Sequence, residues 1–113
     1  MKLIPVLLLC MFFSACSQTT GPSAESQTVE GVWIDVRTPQ EFAAGHVTGA
    51  FNLPHDEIRS DHELLSTLPK DETLLLYCRS GRRSGIAKNL LEEMGFTVRN
   101  VGGFGAAREI AGE

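Results

Sequence analysis

The sequence has few cysteines, no excess of positive charge and no long hydrophobic run. Three cysteines occur in 113 residues, and two of them lie within the first sixteen. The net charge of -4 and the absence of a basic stripe exclude the usual electrostatics of nucleic-acid binding, so we expect no nucleic-acid partner. Because no histidines and cysteines are grouped at metal-ligand spacing, we also expect no metal and no organic cofactor.

What is present fits a small globular protein. The chain is 42% hydrophobic and 21% charged, which is typical of a folded domain rather than of a disordered chain. A length of 113 residues allows one domain at most, and the sequence contains no internal repeat.

The first sixteen residues have the pattern of a secretory signal peptide. Lys2 precedes an apolar run over residues 3–13, which is too short to span a bilayer and ends in small residues. The end of the run also resembles the lipobox of bacterial lipoproteins, with Cys16 as the lipidated residue and Phe13 where leucine is usual. Lipidation and ordinary cleavage near Ala15 both stay open. We therefore expect an exported, periplasmic protein, anchored to a membrane if Cys16 is lipidated.

A polar segment separates this signal from the predicted domain. Residues 17–28 include Gly21 and Pro22 and lack the apolar residues of a core, so they are predicted to form a flexible linker. The folded domain is predicted over residues 29–113, and we expect it to be a monomer. Cys78 is its only thiol and has no partner for an intramolecular disulfide.

The predicted domain alternates strands with helices. Apolar and β-branched runs predict strands over residues 32–36, 50–53, 73–77 and 97–101. Capping signals and apolar spacing predict helices that start after Thr38, cover 56–68, follow residue 83 and cover 104–110. In the third of these helices the expected apolar face is Ile86, Ala87, Leu90, Leu91 and Met94, and a turn is expected at Gly102 and Gly103. The alternation predicts a single α/β domain with a mostly parallel central sheet.

Cys78 follows the most hydrophobic predicted strand and precedes a helix. In a parallel α/β sheet, ligands bind beyond the carboxyl ends of the strands, so this is where a functional residue is expected. The six residues from Cys78 to Arg83 turn the chain from strand to helix. A tight turn of this kind points successive backbone N–H groups into one concavity, and the helix dipole adds positive potential there.

The loop after Cys78 is also cationic. It contains Arg79, Arg82 and Arg83, together with Gly81 for a positive φ, and Ser80 and Ser84 are hydroxyl donors. We expect these groups to lower the pKa of the Cys78 thiol and to bind a small dianion such as thiosulfate. Attack by the thiolate on the outer sulfur would release sulfite and leave a persulfide on Cys78.

Several motifs, in the same order along the chain, resemble the rhodanese family. They are Asp35-Val36-Arg37 with Glu41-Phe42, the stretch from Phe42 to Leu53, the loop from Tyr77 to Ser84, and Gly102-Gly103. Two positions depart from the family pattern: Thr48 stands where proline is common, and Ala107 where tryptophan is frequent. The resemblance covers nearly all of residues 29–113 and implies a rhodanese-like fold.

The resemblance also implies roles for individual residues. Cys78 corresponds to the nucleophile that carries the persulfide, and the amides of residues 79–83 correspond to the cradle for the transferred sulfur. The positions that in the family chiefly hold the fold together are Asp35, Arg37, Glu41 and His46.

The function predicted from these features is sulfur transfer. The enzyme would move sulfane sulfur from thiosulfate or a persulfide donor to a thiol or cyanide acceptor through a Cys78 persulfide. One alternative is a non-catalytic module of the same fold that binds a partner or senses redox state. Another is a phosphatase or arsenate reductase, although those enzymes have arginine six residues after the cysteine, and this chain has Ser84 there.

Overall fold

The computed structural model describes residues 29–113. The predicted signal peptide, Cys16 and the predicted linker lie outside the described residues. The strands are β1 (Val32–Asp35), β2 (Phe51–Asn52), β3 (Thr73–Cys78) and β4 (Thr97–Gly103). The helices are α1 (Pro39–Ala44), α2 (Arg82–Glu93) and α3 (Phe104–Ala111), with short 3-10 helices at His55–Glu57 and Glu63–Ser66. Within residues 29–113, no helix has the length and apolar character needed to span a membrane.

The four strands form one parallel sheet in the order β2-β1-β3-β4. This confirms the predicted α/β class. The strand β3 lies in the middle of the sheet because its TLLLY run is hydrophobic on both faces, as buried parallel strands are. Since the strands are parallel, Asp35, Cys78 and Gly103 all lie at the carboxyl edge of the sheet.

The core has two parts, and alternate residues of β3 contribute to them. Leu74, Leu76 and Cys78 belong to the larger part, which includes Ala87 and Leu91 of α2. Tyr77 belongs to the smaller part. That part is completed by Val47, Ala50, Ala107 and the partly buried Trp33, Phe42, Val101, Phe104 and Ala111.

The helix α1 begins and ends where the sequence predicts. Thr38 accepts a hydrogen bond from the Glu41 amide, and the Glu41 carboxylate accepts one from the Thr38 amide, so the predicted capping box is present. Pro39 occupies the first helical position and Gly45 follows the last one.

The prediction of a helix over residues 56–68 is wrong. Two 3-10 helices occupy part of this segment, with no helix between residues 58 and 62. The apolar residues Ile58, Leu65 and Leu68 are buried. Residues 59–63 are all polar, however, so a continuous helix would bury nothing over this stretch, and His62 caps the second 3-10 helix with its own side chain.

Two further expectations need correction. Ile86 is 47% exposed, because the buried face of α2 runs through Ser84, Ala87 and Leu91, and Ile86 lies about 100° away from Ala87 around the helix. Gly102 and Gly103 end β4 rather than form a turn: they pair with Tyr77 and Cys78 after a bulge. This pairing brings β4 alongside the loop that follows Cys78.

Candidate functional site

Cys78 ends β3 beneath a short loop that joins the strand to α2. The loop comprises Arg79, Ser80 and Gly81, because α2 begins at Arg82 rather than after residue 83 as the sequence suggested. Gly81 makes the reversal possible with a left-handed φ of 100°. The Cys78 residue is only 1% exposed, so a reagent must be small, or the loop must move, to reach its sulfur.

Hydrogen bonds converge on the Cys78 sulfur. The Gly81 amide donates to Sγ over 2.8 Å, and the Ser84 hydroxyl lies 3.5 Å from Sγ. Burial raises the pKa of the Cys78 thiol, but the Ser84 side chain and the amides of Ser84, Gly81 and Ser80 outweigh burial. The pKa of the thiol is therefore lowered from its ordinary value, and the site favours a sulfur anion.

The three arginines of the predicted loop have different surroundings. Arg79 and Arg82 are exposed, whereas Arg83 donates to both carboxylate oxygens of Glu41 over 3.0 and 3.1 Å. The expected lowering of the thiol pKa is present, but the groups that chiefly lower it are hydrogen-bond donors, with the Ser84 side chain first among them. Ser84 is the first residue beyond the predicted loop, at the sixth position after Cys78.

Asn100 is a site residue that the sequence reasoning missed. Its Oδ1 accepts hydrogen bonds from the Ser84 hydroxyl at 2.7 Å and the Gly102 amide at 3.0 Å, and its Nδ2 donates to the Gly81 carbonyl at 3.2 Å. Asparagine is uncommon in strands, and its presence three residues before Gly103 was the one signal that could have identified it.

Gly103 lets β4 approach the loop after Cys78 closely. A Cβ atom at this position would lie 2.7 Å from the Arg79 carbonyl oxygen, which is closer than carbon and oxygen can pack. The loop is thus confined between β4 on one side and the first turn of α2, where Ser84 is fully buried.

The residues expected to hold the fold together make structural contacts. Asp35 and Arg37 form a buried ion pair of 2.6 Å, and Arg37 also donates to the Gly45 carbonyl and lies over the Phe104 ring. His46 stacks on Phe42 and hydrogen-bonds the carbonyl of that same residue. Neither group touches the Cys78 sulfur.

Taken together, fold and site define an α/β domain in which a cysteine thiol lies in a hydrogen-bonding cradle at a strand-to-helix junction. Comparison with known proteins gives the same class. A profile of the rhodanese-like domain matches residues 22–108. Thiosulfate sulfurtransferase PspE from Escherichia coli is 45% identical over 73 residues, an alignment that covers 63% of this chain and 68% of that protein.

Solved structures agree with this similarity. A rhodanese from E. coli, solved with anions, superposes with a TM-score of 0.59 at 41% identity, covering 66% of this chain and 88% of that one. The human single-domain sulfurtransferase TSTD1 gives a TM-score of 0.54 at 34% identity, covering 70% and 79%. The chain belongs to the rhodanese-like domain family. Within it, the chain is a rhodanese-type sulfurtransferase, like the E. coli proteins named above.

Proposed function

We propose that this enzyme carries sulfur as a persulfide on Cys78, with thiosulfate or another sulfane-sulfur compound as the donor. The observation that carries the proposal is the convergence of the Gly81 amide and the Ser84 hydroxyl on the Cys78 sulfur. Groups that donate hydrogen bonds to a thiolate also suit the terminal sulfur anion of a persulfide, because the two anions are chemically alike.

The first half-reaction is a displacement at sulfur. The Cys78 thiolate attacks the outer sulfur of thiosulfate, a new sulfur–sulfur bond forms, and the bond inside thiosulfate breaks. Sulfite leaves with the electron pair of that bond, so that Cys78 carries a persulfide with one negative charge. No proton has to move in this step once the thiol is ionised.

The second half-reaction returns the enzyme to its starting state. A thiolate or cyanide attacks the terminal sulfur of the persulfide, and the sulfur–sulfur bond to Cys78 breaks with its electrons retained by the Cys78 sulfur. The products are an acceptor persulfide or thiocyanate. Relatives named thiosulfate sulfurtransferase support thiosulfate as the donor, and the exposed Arg79 and Arg82 would attract a donor anion to the mouth of the loop.

The size of the loop supports sulfur transfer over phosphate chemistry. Only three residues separate β3 from α2, and the sixth residue after Cys78 is the buried Ser84 rather than an arginine. Arg83, one position earlier, is engaged by Glu41. A phosphatase or arsenate reductase needs a longer loop and a free guanidinium to surround a tetrahedral oxyanion.

Intact-mass spectrometry of the purified protein before and after thiosulfate tests this proposal. We expect the wild type to gain the mass of one sulfur atom and the Cys78→Ser variant to gain none. When the first sixteen residues are retained and unmodified, this variant still contains Cys10 and Cys16, so it also shows whether another thiol takes the sulfur. Wild-type protein that gains no sulfur from thiosulfate or from any persulfide donor would refute a Cys78 persulfide.

The site would act outside the cytoplasm, held at a membrane through lipidated Cys16. Support for this comes from the apolar run over residues 3–13 and the small residues before Cys16. Labelling of the expressed full chain with a fatty acid should mark the wild type but not the Cys16→Ser variant. If neither protein is labelled and both are recovered in the soluble periplasmic fraction, the lipid anchor is excluded and export with ordinary cleavage stands.

A further inference from the structure

We propose that Asn100 is a positioning residue for Cys78, because its side-chain oxygen competes with the Cys78 sulfur for the single hydrogen of the Ser84 hydroxyl. The inference rests on the proposed role of Cys78 as the sulfur-carrying nucleophile. It assigns a function to a residue of β4, outside the loop that forms the cradle.

The orientation of the Asn100 amide is fixed by its backbone partners. The Gly102 N–H lies 3.0 Å from Oδ1, and the Gly81 carbonyl lies 3.2 Å from Nδ2. A backbone N–H can only donate and a carbonyl can only accept, so the side-chain amide cannot be turned round without losing both bonds. Oδ1 therefore faces Ser84 as an acceptor.

The Ser84 hydroxyl has three acceptors within reach and one hydrogen to give. The Asn100 Oδ1 lies 2.7 Å away, the Gly81 carbonyl 3.2 Å and the Cys78 sulfur 3.5 Å. Because Oδ1 carries no hydrogen, the short contact with Asn100 uses the hydrogen of Ser84. Ser84 is fully buried, so water cannot readily supply a replacement donor for whichever acceptor is left without it.

This geometry gives the hydroxyl two alternative positions. While the sulfur is protonated, the hydrogen points to Asn100; when the sulfur is an anion, the hydrogen turns to the sulfur and leaves Asn100 with the Gly102 amide. The stabilisation that Ser84 gives to the sulfur anion is thus reduced by the bond to Asn100 that must be broken. Asn100 also holds the loop through the Gly81 carbonyl, an effect that does not pass through Ser84.

Charged groups around the site also influence the pKa of the Cys78 thiol. They are the ion pairs Arg83–Glu41 and Arg37–Asp35 and the exposed Arg79 and Arg82. None of them accepts the Ser84 hydrogen, so their effect on the sulfur is common to variants that differ only at Ser84 and Asn100.

A double-mutant cycle on the full chain separates the competition from every other effect of Asn100. The pKa of Cys78 is read from the pH dependence of its reaction with iodoacetamide, followed by mass spectrometry of the peptide that contains Cys78. The four proteins are the wild type, Ser84→Ala, Asn100→Ala and the double variant. Asn100→Ala also removes the contact with the Gly81 carbonyl. That loss changes the pKa of Cys78 equally with and without Ser84, so it cancels when the two Asn100→Ala shifts are compared.

We expect the shift of the Cys78 pKa caused by Asn100→Ala to be more negative when Ser84 is present than in the Ser84→Ala background. The two shifts should differ by roughly half a pH unit, the size of one modest hydrogen bond. Equal shifts in the two backgrounds would show that Asn100 acts only through the loop and would overturn the competition. A more upward shift with Ser84 present would mean that Asn100 turns the hydroxyl toward the sulfur, which also overturns it.

Asn100→Asp supplies an independent test, in which the difference between the two shifts of the Cys78 pKa should have the opposite sign. The carboxylate keeps an oxygen acceptor beside Ser84 and accepts more strongly than an amide, so this variant should shift the pKa further upward with Ser84 present than without it. The general effect of the new charge is common to both backgrounds and cancels. Because iodoacetamide needs no sulfur donor, this result stands apart from whether a persulfide forms, so failure of either proposal is seen separately.

Discussion

Two strand-to-helix junctions lie at the same edge of the sheet, and their chemistry differs because one is closed by its own side chains. At the β1–α1 junction, Thr38 and Glu41 satisfy each other's backbone N–H groups in a capping box. Directly before it, Asp35 forms a buried ion pair with Arg37. The Arg37, Thr38 and Glu41 amides and the Asp35 and Glu41 carboxylates are therefore engaged within the protein.

The β3–α2 junction is left open instead. Gly81 precedes α2 and has no side chain to cap it, so the amides near the start of the helix can donate to a sulfur anion. Cys78 places its sulfur among them. At these two junctions, which lie at the same edge of the sheet, the residue at the helix cap is what differs: Thr38 closes the start of α1, and Gly81 leaves the start of α2 without a side-chain cap.

The largest effect is expected in the closed junction, from Asp35→Ala. The Asp35 carboxylate accepts from the Arg37 backbone amide and guanidinium, so its loss leaves a guanidinium without its partner in a site only 6% exposed. We expect the free energy of unfolding to fall by about 3–5 kcal/mol, measured by urea denaturation.

Asp61→Ala is the matched control for that substitution. Arg59 and Asp61 form a pair of the same kind two residues apart, but both side chains are largely exposed. Its loss should hardly change the denaturation midpoint. Similar losses in the two variants would show that the closed junction does not owe its stability to the buried pair.

The next largest effect is expected where β4 meets the open junction, from Gly103→Ala. The added Cβ would lie 2.7 Å from the Arg79 carbonyl oxygen, so the loop over Cys78 must move. We expect a loss of about 1–3 kcal/mol in unfolding free energy together with a large fall in the rate of sulfur transfer. Both are measured on the same preparation.

Gly105→Ala is the control for crowding near the loop. Gly105 lies in α3, and a Cβ there would have no neighbour within 4 Å. This variant should be as stable as the wild type or slightly more so, with unchanged transfer, because alanine suits a helix better than glycine. If Gly103→Ala behaves in the same way, the close approach of β4 is not what shapes the loop.

Ser84→Ala sharpens the comparison by removing a donor from the open junction alone. The side chain of Ser84 is the strongest of the groups that lower the pKa of Cys78, so its loss should raise that pKa by up to about one unit. Alkylation of Cys78 as a function of pH measures the shift. Since Ser80 acts on the sulfur through its backbone amide, Ser80→Ala should leave the pKa in place, and an equal rise in both variants would argue against the hydroxyl.

Glu41→Gln tests the ion pair with Arg83, which joins the two junctions, and should have the smallest effect. The hydrogen bond from Arg83, then that from the Thr38 amide, lower the pKa of Glu41 to about 2 from an ordinary 4.5. A lowered carboxyl pKa stabilises the fold above the ordinary value, and this contribution is lost as the pH falls toward 2. Because the pair lies near the surface, we expect a loss of about 1 kcal/mol or less at neutral pH.

The pH dependence of that loss is the decisive part of the experiment. Urea denaturation of the wild type and Glu41→Gln should converge as the pH is lowered from 4.5 toward 2. Glu92→Gln, which removes an exposed pair with Lys88 inside α2, should cost less at neutral pH. A difference between wild type and Glu41→Gln that stays constant down to pH 2 would contradict a charged Glu41 as its source.

The closed junction could be read from the sequence almost completely, because its signals are local. Thr38, Pro39 and Glu41 lie within four residues and specify a helix start by themselves. The position of Cys78 after a hydrophobic strand was equally visible. By contrast, residues 59–63 are polar with no competing signal, and helix spacing on either side of them suggested one helix where the chain forms two short ones.

The supports of the open junction could not be read in this way, because they come from distant parts of the chain. Glu41 reaches Arg83 across 42 positions, and Asn100 reaches Ser84 across 16. Both contacts depend on strand order, and the second also depends on the bulge in β4, which sets Gly102 opposite Tyr77. The sequence therefore predicted amides, serine hydroxyls and arginines around the thiol without ranking them, and in the structure the hydrogen-bond donors chiefly lower its pKa.

The central claim, that an uncapped junction stabilises a sulfur anion by hydrogen bonds, is tested most directly by the pKa of Cys78 at low and high salt. We expect the pH profile of its iodoacetamide reaction to lie below that of the urea-unfolded chain and to remain there at high salt, because salt screens the exposed Arg79 and Arg82 but not buried donors. A profile that coincides with that of the unfolded chain, or rises to meet it as salt is added, would contradict the claim.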